Sequence, residues 1–191
     1  MKRQLCALLA AVMVLALLLT GCGSEQQKAA DQSTFVTLTD DLGRQVELKA
    51  KPARIVVTSA SFLEPLEAVG GADLVVGRPD SKTKMPDYAK DIASVGKVYQ
   101  IDTEKVLACQ PDLVIINKGM NEKLVDALEA NGIKTLVLDM KSYEDVKREV
   151  ATLAEVTGNP EKGQQLIHDM DDKIAAVKNS MPQGTDRKSV V

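Results

Sequence analysis

The sequence is poor in the side chains that carry most enzyme chemistry and most recognition of flat ligands. It contains one histidine, three cysteines, no tryptophan and only 3% aromatic residues. A lone histidine without a Cys or His cluster cannot form a zinc site, and His168 lies in a helical pattern far from any nucleophile-elbow motif. So few rings leave little for stacking against bases or sugars. These shortages argue against a metalloenzyme and a histidine-dependent hydrolase.

Phosphate-binding motifs are also missing. The pattern G-x-x-x-x-G-K-[ST] does not occur, and VGGADLVVG at residues 69–77 lacks the G-x-G-x-x-G spacing that seats a pyrophosphate on a helix N-terminus. The formal net charge of −3 is unfavourable for a nucleic-acid partner. The acidic pairs Asp40-Asp41 and Asp171-Asp172 are assigned to a hairpin turn and a helix surface. No catalytic residue, metal site or nucleotide site is predicted.

The first residues have the features of a secretion signal. Lys2 and Arg3 precede an apolar run from Leu5 to Leu19, which is shorter than the roughly 20 residues that span a bilayer. A permanent transmembrane helix is therefore the weaker alternative. The residues LTGC at 19–22 resemble the bacterial lipobox, in which the cysteine becomes the lipidated first residue of the mature protein. We predict a signal peptide at 1–21 and lipidation of Cys22, with ordinary signal cleavage as the alternative.

The predicted processing determines the compartment and the cysteine chemistry. Cys6 would be removed with the signal and Cys22 would carry lipid, so Cys109 would remain alone and no internal disulfide could form. Loss of two basic residues would bring the formal charge from −3 to about −5. Residues 22–33 are predicted to be the lipidated cysteine and a flexible polar tether. The expected location is the extracytoplasmic face of the cell membrane.

The pattern from residue 34 onward predicts an α/β fold. FVTLT and QVELK alternate around DDLGR, which indicates a β-hairpin with a positive φ at Gly43. RIVVT, DLVVG, DLVIIN and KTLVLD are continuous apolar runs typical of parallel strands covered on both faces. Helices are predicted between and after these strands at Ser61–Val69, Thr103–Ala108, Glu122–Ala130, Tyr143–Thr157 and from Pro160 to about Ser180.

Local signals fix several ends of these helices. Ser61 is predicted to cap the first helix, with Pro65 in its first turn. Gly158 is predicted to end one helix and Pro160 to begin the next. On the long last helix one stripe is predicted to be buried because apolar residues recur every three or four positions. These residues are Leu166, Met170, Ile174, Val177 and Met181.

The order of motifs supports a more specific identification. Asp-x-x-Gly-Arg at 40–44 precedes Pro-x-Arg-Ile-Val at 52–56, and a helix carrying a glutamate ends in a glycine before Val-Val-Gly at 75–77. Val-Gly at 95–96 then precedes a Glu-Lys helix that leads to Gln-Pro-Asp-Leu-Val-Ile at 110–115. This order resembles the solute-binding proteins of bacterial ABC importers for iron-siderophore complexes, haem and cobalamin. The likeness runs from about Phe35 to the end of the chain.

The resemblance implies a domain organisation. Residues 34–158 would form the N-terminal α/β lobe of a two-lobed protein, and residues 159–181 the helix that bridges the lobes. Residues 182–191 would begin the second lobe, because RKSVV is similar to the opening of another strand. We therefore expect the sequence to be incomplete, and a lone first lobe to bind ligand weakly or not at all.

The resemblance also implies the function. The protein would be a lipid-anchored monomer, not an enzyme, that captures a ferric siderophore, haem or cobalamin and delivers it to the ABC permease. Glu64 matches the glutamate that docks onto permease arginines in this family, and a carboxylate suits an arginine partner. Glu67 is the competing candidate. Glu64 could instead only favour the first turn of its helix through the macrodipole.

The ligand is expected in the cleft at the carboxyl ends of the strands. Basic residues there would suit an anionic siderophore, and Lys82 is one of them. Some haem-binding relatives have a tyrosine directly after the Val-Gly motif, where this chain has Lys97, and this departure weakens haem ligation. Tyr99, Met120 or Met140 could still approach iron. The cleft candidates are Ser59, Arg78, Lys97, Tyr99, Lys118, Met120 and Met140.

Two alternatives from other functional classes stay open at this point. One is a secreted α/β hydrolase-like enzyme that uses carboxylates in the cleft. The other is a tethered surface interaction domain without a small ligand. Neither has a specific motif in the sequence.

Overall fold

The computed structural model describes residues 34–82 and 84–180 of the 191-residue chain. The predicted signal peptide, Cys22, the tether, Met181 and the predicted start of a second lobe lie outside these residues. None of the helices in the described ranges is long and apolar enough to cross a membrane.

An N-terminal β-hairpin precedes the main sheet, as predicted. Strand β1 (Val36–Thr39) pairs antiparallel with β2 (Gln45–Leu48). Gly43 has a φ of 79° in the turn, a value that favours glycine. The side chain of Asp40 is fully buried, where its carboxylate accepts hydrogen bonds from the backbone N–H groups of Leu42 and Arg44 and forms an ion pair with the Arg44 guanidinium at 2.7 Å.

Within residues 34–82 and 84–180 the main sheet has six strands in the order β6-β5-β4-β3-β7-β8. All neighbours are parallel except β5 and β6, which form an antiparallel edge hairpin. The strands are β3 (Ile55–Val57), β4 (Val75–Asp80), β5 (Ala93–Lys97), β6 (Gln100–Ile101), β7 (Leu113–Asn117) and β8 (Lys134–Leu138). The predicted α/β class is thereby confirmed, and β5 and β6 are elements that the sequence patterns did not reveal.

In the part of the chain that the structure describes, five α-helices accompany the sheet: α1 (Leu63–Ala68), α2 (Thr103–Ala108), α3 (Leu124–Glu129), α4 (Tyr143–Val156) and α5 (Pro160–Ser180). Short 3-10 turns occupy Ala60–Phe62, Ala72–Leu74 and Asp87–Ala89. The prediction that Ser61 caps the first helix is wrong, because a 3-10 turn precedes α1 and Ser59 accepts a hydrogen bond from the Ser61 N–H instead. Pro65 lies in the first turn of α1 as predicted.

Alternate residues of the central strands reach two hydrophobic clusters, one on each face of the sheet. Ile55 and Val57 of β3 belong to a cluster that also contains residues of the hairpin, α1 and α4. Val56, between them, belongs to a second cluster with residues of α2 and α3. All three side chains are fully buried. The continuous apolar pattern of β3 therefore reflects helices on both faces.

Helices α4 and α5 meet at a tight junction. Gly158 has a φ of 68° after α4, and Pro160 begins α5, both as predicted. A Cβ atom at Gly163 would lie 2.5 Å from the Cβ of Ala154, so the two helices can approach closely only because residue 163 is glycine.

The prediction of one buried stripe along α5 is wrong for the outer half of the helix. Leu166 packs against the core. Ile174 and Val177 are 40% and 58% exposed, however. Periodicity identifies the apolar face correctly, but the described part of the chain does not cover this face beyond the first turns of the helix.

Among the described residues, one carboxyl group is buried without a hydrogen-bond partner. Glu149 on α4 is 2% exposed, and neither of its carboxylate oxygens has a hydrogen-bond partner in the described part of the chain. Burial, and then the nearby charge of Asp41, raise the pKa of Glu149 to about 8, while Arg148 acts in the opposite direction. Glu149 is therefore mostly protonated at neutral pH.

Candidate ligand groove and docking face

Three loops at the carboxyl edge of the sheet enclose an open groove of about 590 Å³. They follow β3, β4 and β5 and contribute residues 59–61, 79–82 and 97–99. This volume is in the range of small-molecule sites, and the position is the one where open α/β sheets bind ligands. The groove thus brings together Ser59, Lys97 and Tyr99 from the predicted cleft residues.

Two serine hydroxyls form the wall of the groove that follows β3. The Ser59 and Ser61 Oγ atoms lie 2.7 Å apart and share one hydrogen bond. Thr58, just before them, is fully buried; its N–H donates to the Ile115 carbonyl and its Oγ1 accepts from the Asn117 N–H. These bonds tie the end of β3 to β7 and hold the serine pair at the sheet edge.

The opposite part of the groove carries two lysines. Sheet register pairs Asp80 on β4 with Lys97 on β5, and Lys82 follows in the loop after β4. Lys82 and Lys97 are exposed, and within residues 34–82 and 84–180 neither ammonium group forms an ion pair. The Asp80 carboxylate also lines the groove, but it lies 3.5 Å from the Arg78 guanidinium.

Arg78 and Lys118, which were predicted as cleft cations, bind backbone carbonyls within the fold instead. The Arg78 side chain is only 13% exposed, and its guanidinium donates to the carbonyls of Ala89 and Lys90, which fixes the Asp87–Ala89 turn against β4. The Lys118 ammonium donates to the carbonyl of Asp41 at 2.6 Å. Neither residue lines the groove, because backbone carbonyls already hold their charged groups.

The residues proposed to approach haem iron do not converge. Tyr99 is 74% exposed on the β5–β6 hairpin, and Met120 is 51% exposed in the loop after β7, outside the groove lining. Met140 packs against the core. His168 is exposed on α5, 3.2 Å from Asp172. Within the described residues no group of three or more His, Cys, Asp or Glu side chains could hold a metal ion.

The β5–β6 hairpin that carries Lys97 and Tyr99 is held by two features that the sequence did not reveal. Gly96 has a φ of 109°, and a Cβ atom there would lie 2.6 Å from the Gln100 carbonyl oxygen. Asn121, 1% exposed at the start of the α3 segment, donates from Nδ2 to the Val98 carbonyl at 2.9 Å. The Val-Gly pair is a possible sequence signal for the hairpin, but nothing local marks Asn121 as buried.

We expect Asn121→Ala to lower the free energy of unfolding by about 1–2 kcal/mol, because it leaves the Val98 carbonyl without its donor. The Asp102 amide, which donates to the Val95 carbonyl at the base of the hairpin, should exchange hydrogen faster. Urea unfolding and amide exchange measure the two effects. Asn131→Ala is the matched control, since Asn131 makes the same kind of bond on an exposed helix end. Equal effects of both variants would contradict the role of Asn121.

A second surface of interest is the outer face of α1. Leu63 and Leu66 are buried beneath it, whereas Glu64 and Glu67 are exposed. Neither carboxylate forms an ion pair with a described residue. Tyr88 packs beside this helix and donates its hydroxyl to the Leu63 carbonyl at 2.9 Å; burial, and then the charge of Glu67, raise the pKa of Tyr88. The outer face of α1 therefore presents two exposed carboxylates that pair with no described residue, on a helix that Tyr88 holds in place.

Comparison with known proteins gives a consistent result. The family model described as periplasmic binding protein matches residues 55–191. The chain is 31% identical over 173 residues to the ABC transporter substrate-binding lipoprotein YvrC of Bacillus subtilis, covering 84% of this chain and 54% of YvrC. It is 27% identical over 149 residues to a cobalamin-binding protein of Halobacterium salinarum, covering 77% of this chain and 40% of that protein.

The solved structure of a similar protein has the same fold over the part that matches. The iron uptake ABC transporter substrate-binding protein PiuA of Streptococcus pneumoniae superposes with a TM-score of 0.64 at 26% identity, over 76% of this chain and 53% of PiuA. The chain thus spans about half the length of the relatives that it matches.

Proposed function

Because the chain belongs to the periplasmic binding protein family, we propose that it acts in an ABC importer as the substrate-binding component, capturing an iron chelate (siderophore or haem) or cobalamin and delivering it to the permease. The observation that carries this proposal is the groove at the carboxyl edge of the sheet, lined by the loops after β3, β4 and β5. The relatives are binding proteins for transport and not enzymes, so the hydrolase-like alternative is set aside.

The proposal extends to the organisation of the whole protein. Residues 34–158 would form one lobe, residues 159–181 the bridging helix and residues 182–191 the start of a second lobe that closes the groove. Lipid on Cys22 and the tether at 22–33 would hold the monomeric receptor at the outer face of the cell membrane. Mass spectrometry of the protein isolated from membranes tests directly whether Cys22 carries lipid. The Cys22→Ser variant should lack the lipid and appear in the soluble fraction.

Ligand binding tests the proposal directly. The full chain is titrated with a ferric siderophore, haem and cobalamin, and binding is followed by tyrosine fluorescence, since Tyr99 lies in the groove. Because the groove is open on one side, we expect dissociation constants near 10 μM or weaker, a free energy of about −7 kcal/mol. Absence of saturable binding by all three, both to this chain and to a chain extended by the proposed second lobe, would overturn the proposed function.

Glu64 is the proposed permease contact. Its carboxylate is exposed on α1 and forms no ion pair with a described residue, so a permease arginine could bind it in a bidentate manner. We expect Glu64→Ala to leave ligand affinity unchanged and to lower ligand uptake at least about tenfold in cells that carry the cognate permease, a loss of about 1.4 kcal/mol. Glu67→Ala tests the competing candidate.

Glu104→Ala provides the matched control for this uptake measurement. Glu104 is likewise an exposed glutamate in the first turn of a short helix, α2, but α2 packs with the hydrophobic cluster on the opposite face of the sheet from α1. Uptake that falls equally in the Glu64 and Glu104 variants, or in neither, would remove Glu64 from the docking site.

A further inference from the structure

We propose that Tyr88 is a positioning residue for permease docking. Its hydroxyl fixes the first turn of α1, and with it the carboxylate of Glu64, in the orientation that a permease arginine would bind. This inference rests on the proposed function and adds to it a residue outside the docking helix. It follows from the contacts of Tyr88, from the limited local support of α1 and from the anchored turn that carries Tyr88.

Tyr88 reaches α1 beside the two docking candidates. Its hydroxyl donates to the Leu63 carbonyl at 2.9 Å, and Leu63 directly precedes Glu64 in the first turn of the helix. Glu67, one turn further along, is also close enough to affect the hydroxyl: burial, and then the charge of Glu67, raise the pKa of Tyr88. Tyr88 therefore acts on the part of α1 that carries both carboxylates.

Helix α1 has limited support of its own at this end. It is six residues long, and no described side chain caps its start. Pro65 lies in the first turn and has no N–H to donate. The buried side chains of Leu63 and Leu66 anchor the inner face of α1, but hydrophobic contacts are not directional and leave the helix some freedom to rotate. A directional hydrogen bond to the Leu63 carbonyl limits that rotation.

The turn that carries Tyr88 is itself anchored to the sheet. Arg78 in β4 donates from Nε to the Ala89 carbonyl at 3.0 Å and from Nη2 to the Lys90 carbonyl at 3.2 Å. The Ala89 side chain is fully buried, and an ion pair between Asp87 and Lys90 at 2.6 Å closes the turn. Tyr88 also packs against the core cluster that contains residues of α1. Its hydroxyl is therefore held on a fixed base.

The segments that hold α1 are continuous with walls of the groove. The chain after β4 lines the groove at residues 79–82 before it reaches Tyr88. The turn Ala60–Phe62, which directly precedes α1, includes groove residues as well. Tyr88 itself is outside the lining. Its hydroxyl can therefore be removed without removing a ligand contact, so that docking and ligand capture can be measured separately.

The test uses Tyr88→Phe, which keeps the buried ring and removes only the hydroxyl. Affinity for the cognate permease, reconstituted in lipid nanodiscs, is measured for the full chain and for a chain extended by the proposed second lobe. Binding of a ferric siderophore, haem and cobalamin is titrated in parallel. Tyr143→Phe is the matched control, because the Tyr143 hydroxyl donates at 3.0 Å to Asp171 on α5 rather than to α1.

We expect Tyr88→Phe to weaken permease binding about three- to tenfold, the range that one lost hydrogen bond corresponds to, and Tyr143→Phe to leave it unchanged. Ligand dissociation constants should be unchanged in both variants. The double variant Glu64→Ala/Tyr88→Phe should bind the permease no more weakly than Glu64→Ala alone, because two residues that act through one contact are not additive. A general loss of stability would instead add to the effect of Glu64→Ala.

Each contrary result has a distinct meaning. Unchanged permease binding by Tyr88→Phe would overturn the inference, and the proposed function would stand if Glu64→Ala weakened binding in the same measurement. Additive effects in the double variant, or an equal loss of ligand affinity in Tyr88→Phe, would also overturn the inference, because Tyr88 would then not act through Glu64. If neither wild-type chain bound the permease, both the inference and the proposed delivery to the permease would be overturned.

Discussion

Replacing Glu149 by methionine should raise the free energy of unfolding by an amount on the order of 3 kcal/mol at pH 7. The carboxyl group is 2% exposed and unpartnered within the described residues. Its pKa is raised from 4.5 to about 8, so folding must either keep a proton on it or bury a bare charge. Methionine has a similar volume, removes the ionisation and fills the site with apolar atoms. For a domain of this size the melting temperature should rise by about 5–10 °C.

The raised pKa of Glu149 determines how the free energy of unfolding changes with pH. Between pH 4.5 and about pH 8 the folded state keeps the Glu149 proton that the unfolded chain releases. The contribution of Glu149 to the free energy of unfolding of the wild type is therefore fully present below pH 4.5. This contribution is lost as the pH rises through about 8. The groups that act on it are Asp41, which adds to the upward shift, and Arg148, which opposes it.

Urea unfolding of the wild type and of the methionine variant at intervals from pH 5 to pH 9 measures the difference. The gap between the two curves should widen with pH and level off above about pH 8. Glu149→Gln is the companion variant: it should remove the same pH dependence but gain less stability, because an unpartnered buried amide still costs about 1–3 kcal/mol. Parallel curves for all three proteins would mean that Glu149 ionises freely in the folded state.

The opposite result is expected at Asp40. Asp40→Ala should lower the free energy of unfolding by about 3 kcal/mol, since it leaves the Arg44 guanidinium without its buried partner. The side chain of Asp40 is fully buried, and its carboxylate accepts from Arg44 Nη2 at 2.7 Å, from two N–H groups of the turn, and from Val137 N–H on β8 at 3.4 Å. Among the described residues Arg44 would keep Glu129, a more exposed partner, and Thr135 on β8.

Thermal and urea unfolding measure the loss, and hydrogen exchange in β1 and β2 locates it. Asp40→Asn keeps the shape and can still accept from the turn amides, so it should lose less than the alanine variant. Asp91→Ala, in an exposed turn, should change stability by less than about 0.5 kcal/mol. If Asp40→Ala were as stable as Asp91→Ala, the buried ion pair would not stabilise the hairpin.

The sequence predicted the elements whose burial is uniform or strictly periodic. Strand β3 and the first four residues of β7 are apolar because helices cover both faces, and Gly158 and Pro160 separate α4 from α5. Strand β5, ASVGK, was missed because its exposed and buried positions mix with a glycine. Periodicity likewise found the apolar face of α5 but could not tell whether anything packs against its outer half.

The groove was predicted less completely, for a different reason. The carboxyl ends of the strands pointed to the loops that line the groove, since parallel topology places those ends together; ligand binding there stays a prediction. The individual cations could not be sorted in the same way. Arg78 and Lys118 look equivalent to Lys82 and Lys97 in the sequence, and only the folded chain shows that backbone carbonyls hold the first two. Long-range partners of this kind leave no local pattern.

The close contact of Gly163 with Ala154 is a point about which helix α5 can tilt. From Gly163 to Ser180 the helix extends about 25 Å at 1.5 Å per residue, and residues 171–180 at its end are all exposed. A tilt of about 10° where Gly163 meets Ala154 would therefore carry Ser180 through an arc of about 4 Å. The packing of Leu166 against the core and the contacts of Asp171 with Tyr143 and Lys147 also hold this helix, so repacking at Gly163 would be amplified towards Ser180 only if these contacts shift with it.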